Sequence, residues 1–84
     1  MLTDYIDAAM RRAKYEIFPE DNSYYGEIPE CNGVWANELT LEDTRKDLRS
    51  TLEGWILLGI RHGAKIPVID GIDINIHAEI LEEV

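Results

Sequence analysis

The sequence predicts a single α+β domain with the element order α-β-β-β-α-β, in which a three-stranded antiparallel meander is packed by helices. Three observations lead there. Side chains alternate at period two in three short runs between residues 14 and 38, with turn chemistry between the runs. A capped, apolar-striped helix follows over 41–62, and a shorter helical pattern precedes the meander over 3–13. With 84 residues and 45% hydrophobic content, one modest core covers residues 1–84 and has little stability in reserve, so burial in a homo-oligomer would help it.

In the first helix Ile6, Ala9, Met10 and Ala13 recur at helical spacing. Thr3 stands where a cap is expected, and Asp4 and Asp7 lie at the end where the helix dipole favours negative charge. The first strand, about 14–19, alternates Tyr15 and Ile17 with Lys14 and Glu16 until Pro19 stops it. Glu20-Asp21-Asn22-Ser23 then reverses the chain. The second strand, about 23–29, puts Tyr24, Gly26 and Ile28 on one face and Tyr25 and Glu27 on the other. Asn32-Gly33 signals another reversal, and the third strand, about 33–38, turns Trp35 away from Val34 and Ala36. Helices should cover one sheet face and leave Tyr25 and Trp35 on the other.

Thr40 followed by Asp43 resembles a capping box, so the second helix starts there. Leu41, Leu48, Leu52, Trp55, Ile56 and Gly59 form its packing stripe, and Gly63 ends it. Leu57 and Ile60 lie off that stripe. They are either tolerated surface residues or contacts to a second copy. Ile72, Ile74 and Ile76 alternate with Asp73, Asn75 and His77, which signals a possible fourth strand over 72–77, added to the parent sheet or crossing to a neighbouring subunit. Leu57, Ile60, Ile72, Ile74 and Ile76 are thus the candidate oligomer interface.

Charge narrows the function. From Tyr15 to Thr44 there is no Lys or Arg, but eight carboxylates: Glu16, Glu20, Asp21, Glu27, Glu30, Glu38, Glu42 and Asp43. A compact acidic sheet suits a small basic protein, and a solvated polar face that only maintains solubility accounts for such bias equally well. The net charge of -9 argues against direct nucleic-acid binding, which needs clustered cations. Glu16, Tyr25, Glu27, Trp35 and Glu38 are the candidate partner-binding residues.

No catalytic residue, metal ligand or cofactor is expected. His62 and His77 lack ligand-spaced partners, the glycines form no phosphate loop, and Ser23, Ser50 and Cys31 have no base near them in sequence. Glu16 and Glu27 on adjacent strands could form an acid/base or metal pair, but solvated carboxylates on a sheet are far commoner. A single Cys31 excludes an intramolecular disulfide. The longest apolar run, Trp55 to Ile60, is far short of a membrane span, and the acidic N-terminus is unlike a signal peptide. A cytoplasmic protein with no membrane contact is the expectation.

The run Tyr24-Tyr25-Gly26-Glu27-Ile28-Pro29-Glu30, then Gly33, Ala36 and Thr40-Leu41-Glu42-Asp43, resembles the N-terminal domain of HicB-type antitoxins over roughly residues 15–67. Glu38 stands where that family usually has Gly, Asp43 where it has Glu, and Thr44 where it has Ala. The resemblance implies a degenerate RNase H-like fold without catalytic carboxylates. It also implies neutralisation of a HicA-type toxin, a small basic protein that cleaves messenger RNA. The first helix lies outside the usual antitoxin core and points to a stand-alone, HicB-like branch. The alternative is a homo-oligomeric domain of that fold that binds an unrelated protein or small ligand.

Overall fold

The computed structural model describes residues 2–75. Helix α1 (Leu2–Arg11) leads into strands β1 (Lys14–Phe18), β2 (Ser23–Glu27) and β3 (Trp35–Glu38), and helix α2 (Leu41–Arg61) follows. The strands form one antiparallel sheet in the order β1-β2-β3. The α+β meander expected from the sequence is therefore present.

Register fixes the two faces. Tyr15 pairs with Gly26 and Gly26 with Ala36, while Ile17 pairs with Tyr24 and Tyr24 with Glu38, so these residues share the face that α2 covers. The opposite face carries Lys14, Glu27 and Trp35 in one row and Glu16, Tyr25 and Asn37 in the next.

Helix α2 is positioned at its first turn. Thr40 is the N-cap, in extended backbone, and its Oγ1 accepts from the Asp43 N–H at 3.1 Å. One turn on, the buried Thr44 hydroxyl lies 2.8 Å from the Thr40 carbonyl and 3.0 Å from the Tyr24 carbonyl of β2, so helix and sheet share one hydroxyl. Gly26 lies beneath that contact. A Cβ there would sit 2.7 Å from Tyr15 Cε1 and 3.3 Å from Thr44 Cγ2. At the other end Gly63, at φ 70°, takes the left-handed conformation that stops the helix, and the Ala64 N–H returns to the Gly59 carbonyl at 2.8 Å.

The core lies on the α2 side of the sheet. It gathers Leu48, Leu52 and Ile56 of α2, Ala36 of β3, Ile28, Cys31 and Val34 of the β2–β3 loop, Tyr5, Ile6, Ala8 and Ala9 of α1, and Ile66 and Ile69 beyond α2. Leu41, placed by its spacing on the packing stripe, is exposed, and Thr44 is buried instead. Helix α1 begins at Leu2, so Thr3 lies inside it and is not its cap. Tyr5 and Ala8 join Ile6 and Ala9 on its buried side. The Tyr5 hydroxyl donates to the Pro67 carbonyl at 2.6 Å, and desolvation, with Cys31 and Glu30 nearby, pushes its pKa up.

Two contacts hold the segment after α2. The Arg12 guanidinium forks between Glu30 at 2.9 Å and Asp70 at 2.5 Å, which keeps both carboxyls below the usual carboxylate range. The Asn75 side-chain amide accepts from the Ile66 N–H at 2.6 Å and donates to the Ile66 carbonyl at 2.8 Å, as a neighbouring strand would. Between them Ile69 and Ile72 form an isolated bridge across Asp70 and Gly71, both at positive φ. Residues 73–75 carry no strand, and Ile76 and His77 of the expected fourth strand lie outside the described residues.

Replacing Gly26 by Ala drives a methyl group against Tyr15 and Thr44 at the helix–sheet contact. The expected loss is about 1–3 kcal/mol of unfolding free energy, measured by urea denaturation. Wild-type stability in that variant would mean the contact has slack that the distances do not show.

Candidate functional site

The face of the sheet turned away from α2 carries the chain's only run of mutually stacked rings among the described residues. Phe18 and Tyr25 lie with centroids 5.3 Å apart at 18°, and Tyr25 and Trp35 at 6.2 Å and 24°. The three rings cross β1, β2 and β3 diagonally, since each sits one pleat along from its neighbour in the ladder register. Alternation of side chains leaves no other arrangement once Gly26 and Ala36 are turned toward α2. Trp35 is 55% exposed at the end of the row.

Carboxylates flank the rings. The Tyr25 hydroxyl donates to Glu27 Oε1 at 3.0 Å, and Glu16 is the direct cross-strand neighbour of Tyr25. Burial, the hydrogen bond to Glu27 and the negative charge of Glu27 and Glu16 together raise the Tyr25 pKa, so the hydroxyl stays a donor. Glu16 and Glu27 take part in no ion pair among the described residues, whereas Glu30, Asp70 and Asp7 are each paired with an arginine. A cavity of about 290 Å³ opens beside the row. Its walls are Tyr25, Glu27, Trp35 and the loop from Ile28 to Val34. At the β2–β3 crossing Asn37 Nδ2 donates to Ser23 Oγ and to the Tyr24 carbonyl, both at 2.9 Å, which holds β3 in register.

Of the partner residues that the sequence selects, the structure brings together Glu16, Tyr25, Glu27 and Trp35. Glu38 is elsewhere. It pairs with Tyr24 on the α2 side, where Asp47 and Asp43 of α2 raise its pKa, chiefly through a hydrogen bond to Asp47. Phe18 belongs to the ring row and is not among the residues selected from sequence, although period two from Glu16 puts it on the same face. The candidate oligomer residues also separate. Leu57 is 67% exposed beside the exposed Leu58, while Ile60, Ile72 and Ile74 are half-buried against this chain's own core. Ile76 lies outside the described residues. Strand β1 is uncovered on its α2-facing side, leaving Ile17 56% exposed.

Nothing in the geometry of the described residues gathers chemistry. Among them no group of three or more His, Cys, Asp or Glu could hold a metal ion. Cys31 is buried beside Tyr5, and desolvation raises its thiol pKa, which keeps it protonated. No helix of the described residues is long and apolar enough to cross a membrane.

The crowding at Glu38 sets a pH dependence. Its pKa is raised in the folded state, so its favourable contribution is complete below the ordinary carboxylate range and is lost as pH rises through the raised value. Asp47→Asn should therefore shift the melting temperature more favourably at about pH 7 than at about pH 3, by thermal scans at both. An equal shift at both pH values would assign the effect to something other than charge.

Known proteins share this geometry. A solved structure, the crystal structure of TTHA0281 from Thermus thermophilus, is 39% identical to the chain, covers 90% of it and 94% of its own length, and superposes with a TM-score of 0.80. No curated protein matches the sequence. A family model described as UPF0150-like matches residues 4–67, a span that holds both sheet faces and all of α2. The chain belongs to the UPF0150-like family, whose small domains are HicB-like.

Proposed function

We propose that this chain is an antitoxin-type protein-interaction domain whose open sheet face docks a small basic protein, a ribonuclease of the HicA type. The observation that carries the reading is the pairing state of the carboxylates. Glu16 and Glu27 stand on the open face beside stacked rings, with no ion pair among the described residues. Cations of a partner could be received there without breaking an existing salt bridge, and a charged rim speeds encounter with an oppositely charged protein. Membership of a HicB-like family is what suggests a HicA-type partner.

A second reading has its own observation. Leu57 and Leu58 form adjacent exposed apolar surface late in α2, and β1 has an unpaired edge with Ile17 uncovered, features that suit a stand-alone homo-oligomer. Light scattering of wild type and Leu57→Lys separates the two: a drop in mass in the variant places α2 in an interface between copies.

The docking reading is tested with purified HicA-type ribonuclease. Glu16→Lys and Glu27→Lys together should weaken binding by about ten-fold or more and flatten its salt dependence, and RNA cleavage should resume in the mixture. Unchanged affinity in the double variant would remove the open face from the interface.

A further inference from the structure

Phe18, Tyr25 and Trp35 are stacked almost parallel, at 18° and 24°, so they form a row of plates and not a box. A box of perpendicular rings encloses a tetrahedral ammonium, whereas a row of plates offers a flat terminal surface. Here the terminal plate is Trp35, more than half exposed on the edge strand β3. Glu27 lies directly across from it in the β2–β3 register, and the cavity of about 290 Å³ lined by Tyr25, Glu27 and Trp35 adjoins both.

We propose that this end of the row binds an arginine side chain of the partner protein, with the guanidinium flat on the Trp35 indole and its N–H groups directed to the Glu27 carboxylate. The proposal rests on the docking reading of the same face given above. Three features select arginine. The guanidinium is planar and stacks on an aromatic face, which a lysine ammonium does not. It is weakly hydrated, so leaving water for a half-exposed site costs it less. Its forked donors can reach Glu27, whose Oε1 already accepts from Tyr25 and whose second oxygen has further lone pairs to offer. Nucleic-acid bases also stack on rings carried by sheets, but that mode needs cations along the phosphate track. Among the described residues Lys14 is the one cation that the strands bring to this face, and it sits across from Glu27.

The test titrates the intact protein with two capped pentapeptides, Gly-Arg-Gly-Arg-Gly and Gly-Lys-Gly-Lys-Gly, and follows the two indole N–H signals by NMR. The arginine peptide should bind about five-fold tighter than the lysine peptide and move the Trp35 signal while leaving Trp55 in place. Trp35→Ala should abolish the preference, and Trp35→Phe, which keeps a flat ring, should retain part of it. Glu27→Gln should weaken both peptides. Equal affinities, or shifts confined to Trp55, overturn the proposal. So does a Trp35 shift produced by oligo-dT at lower concentration than by the arginine peptide. Failure of the two readings is distinguishable. A HicA-type toxin bound equally by wild type and Trp35→Ala overturns the arginine site alone. An arginine preference in a protein that binds no such toxin supports the site and overturns the choice of partner.

Discussion

The approach of α2 to β2 at Gly26 governs the rest of the architecture. A hydroxyl shared between the first turn of the helix and the Tyr24 carbonyl brings the two elements together over Gly26, where an added Cβ would press on Thr44 and displace the Tyr15 ring. Once Gly26 faces the helix, the pleat sends Tyr25 and Glu27 the other way, and ladder register does the same to Glu16, Phe18 and Trp35. The open face is thus set by one close contact on the closed one. A one-residue slip of β2 would turn Glu27 toward α2 in place of Gly26, at a cost a small core could not offset.

Much of this was legible in the order of residues. Alternation, the Thr40 cap and Gly63 mark the strands and the second helix, and period two puts Tyr25 and Trp35 on one face. The failures have physical reasons. Charge alone groups Glu38 with the open face; three residues from Trp35 on the same strand it has the opposite parity, and it pairs with Tyr24 on the α2 side. Tyr5 and Ala8 escape because the buried side of α1 is set by the loops it packs against, not by its own spacing. Ile72 and Ile74 alternate as a strand does, but the Asn75 amide takes the hydrogen-bonding positions on Ile66 that a ladder would use. The partner row was half visible: alternation finds its members, and only coordinates show that the rings stack.

Charge is partitioned as well as abundant. Arg11 and Arg12 at the end of α1 hold Asp70 and Glu30, and Arg49 of α2 reaches Asp7 of α1 at 3.1 Å. These exposed pairs each add little to stability. Their effect is to fix orientation: the paired arginines lie on the helices, and on the sheet's outer face Glu16 and Glu27 are left without arginine partners among the described residues, with Lys14 across from Glu27.

The links between the chain's extremes have a consequence for how the protein folds. Tyr5 bonds to Pro67 and Arg12 to Asp70, across separations of 62 and 58 residues, while the meander and α2 between them are joined by much shorter connections. Loop-closure entropy delays contacts of long separation until the intervening chain is ordered. The buried side of helix α1 is therefore fully covered only once residues 66–70 have joined α2 against it. Tyr5 and Ile6 thus belong to the last part of the core to close, and the contacts that close it are the ones most sensitive to loss of the segment after α2.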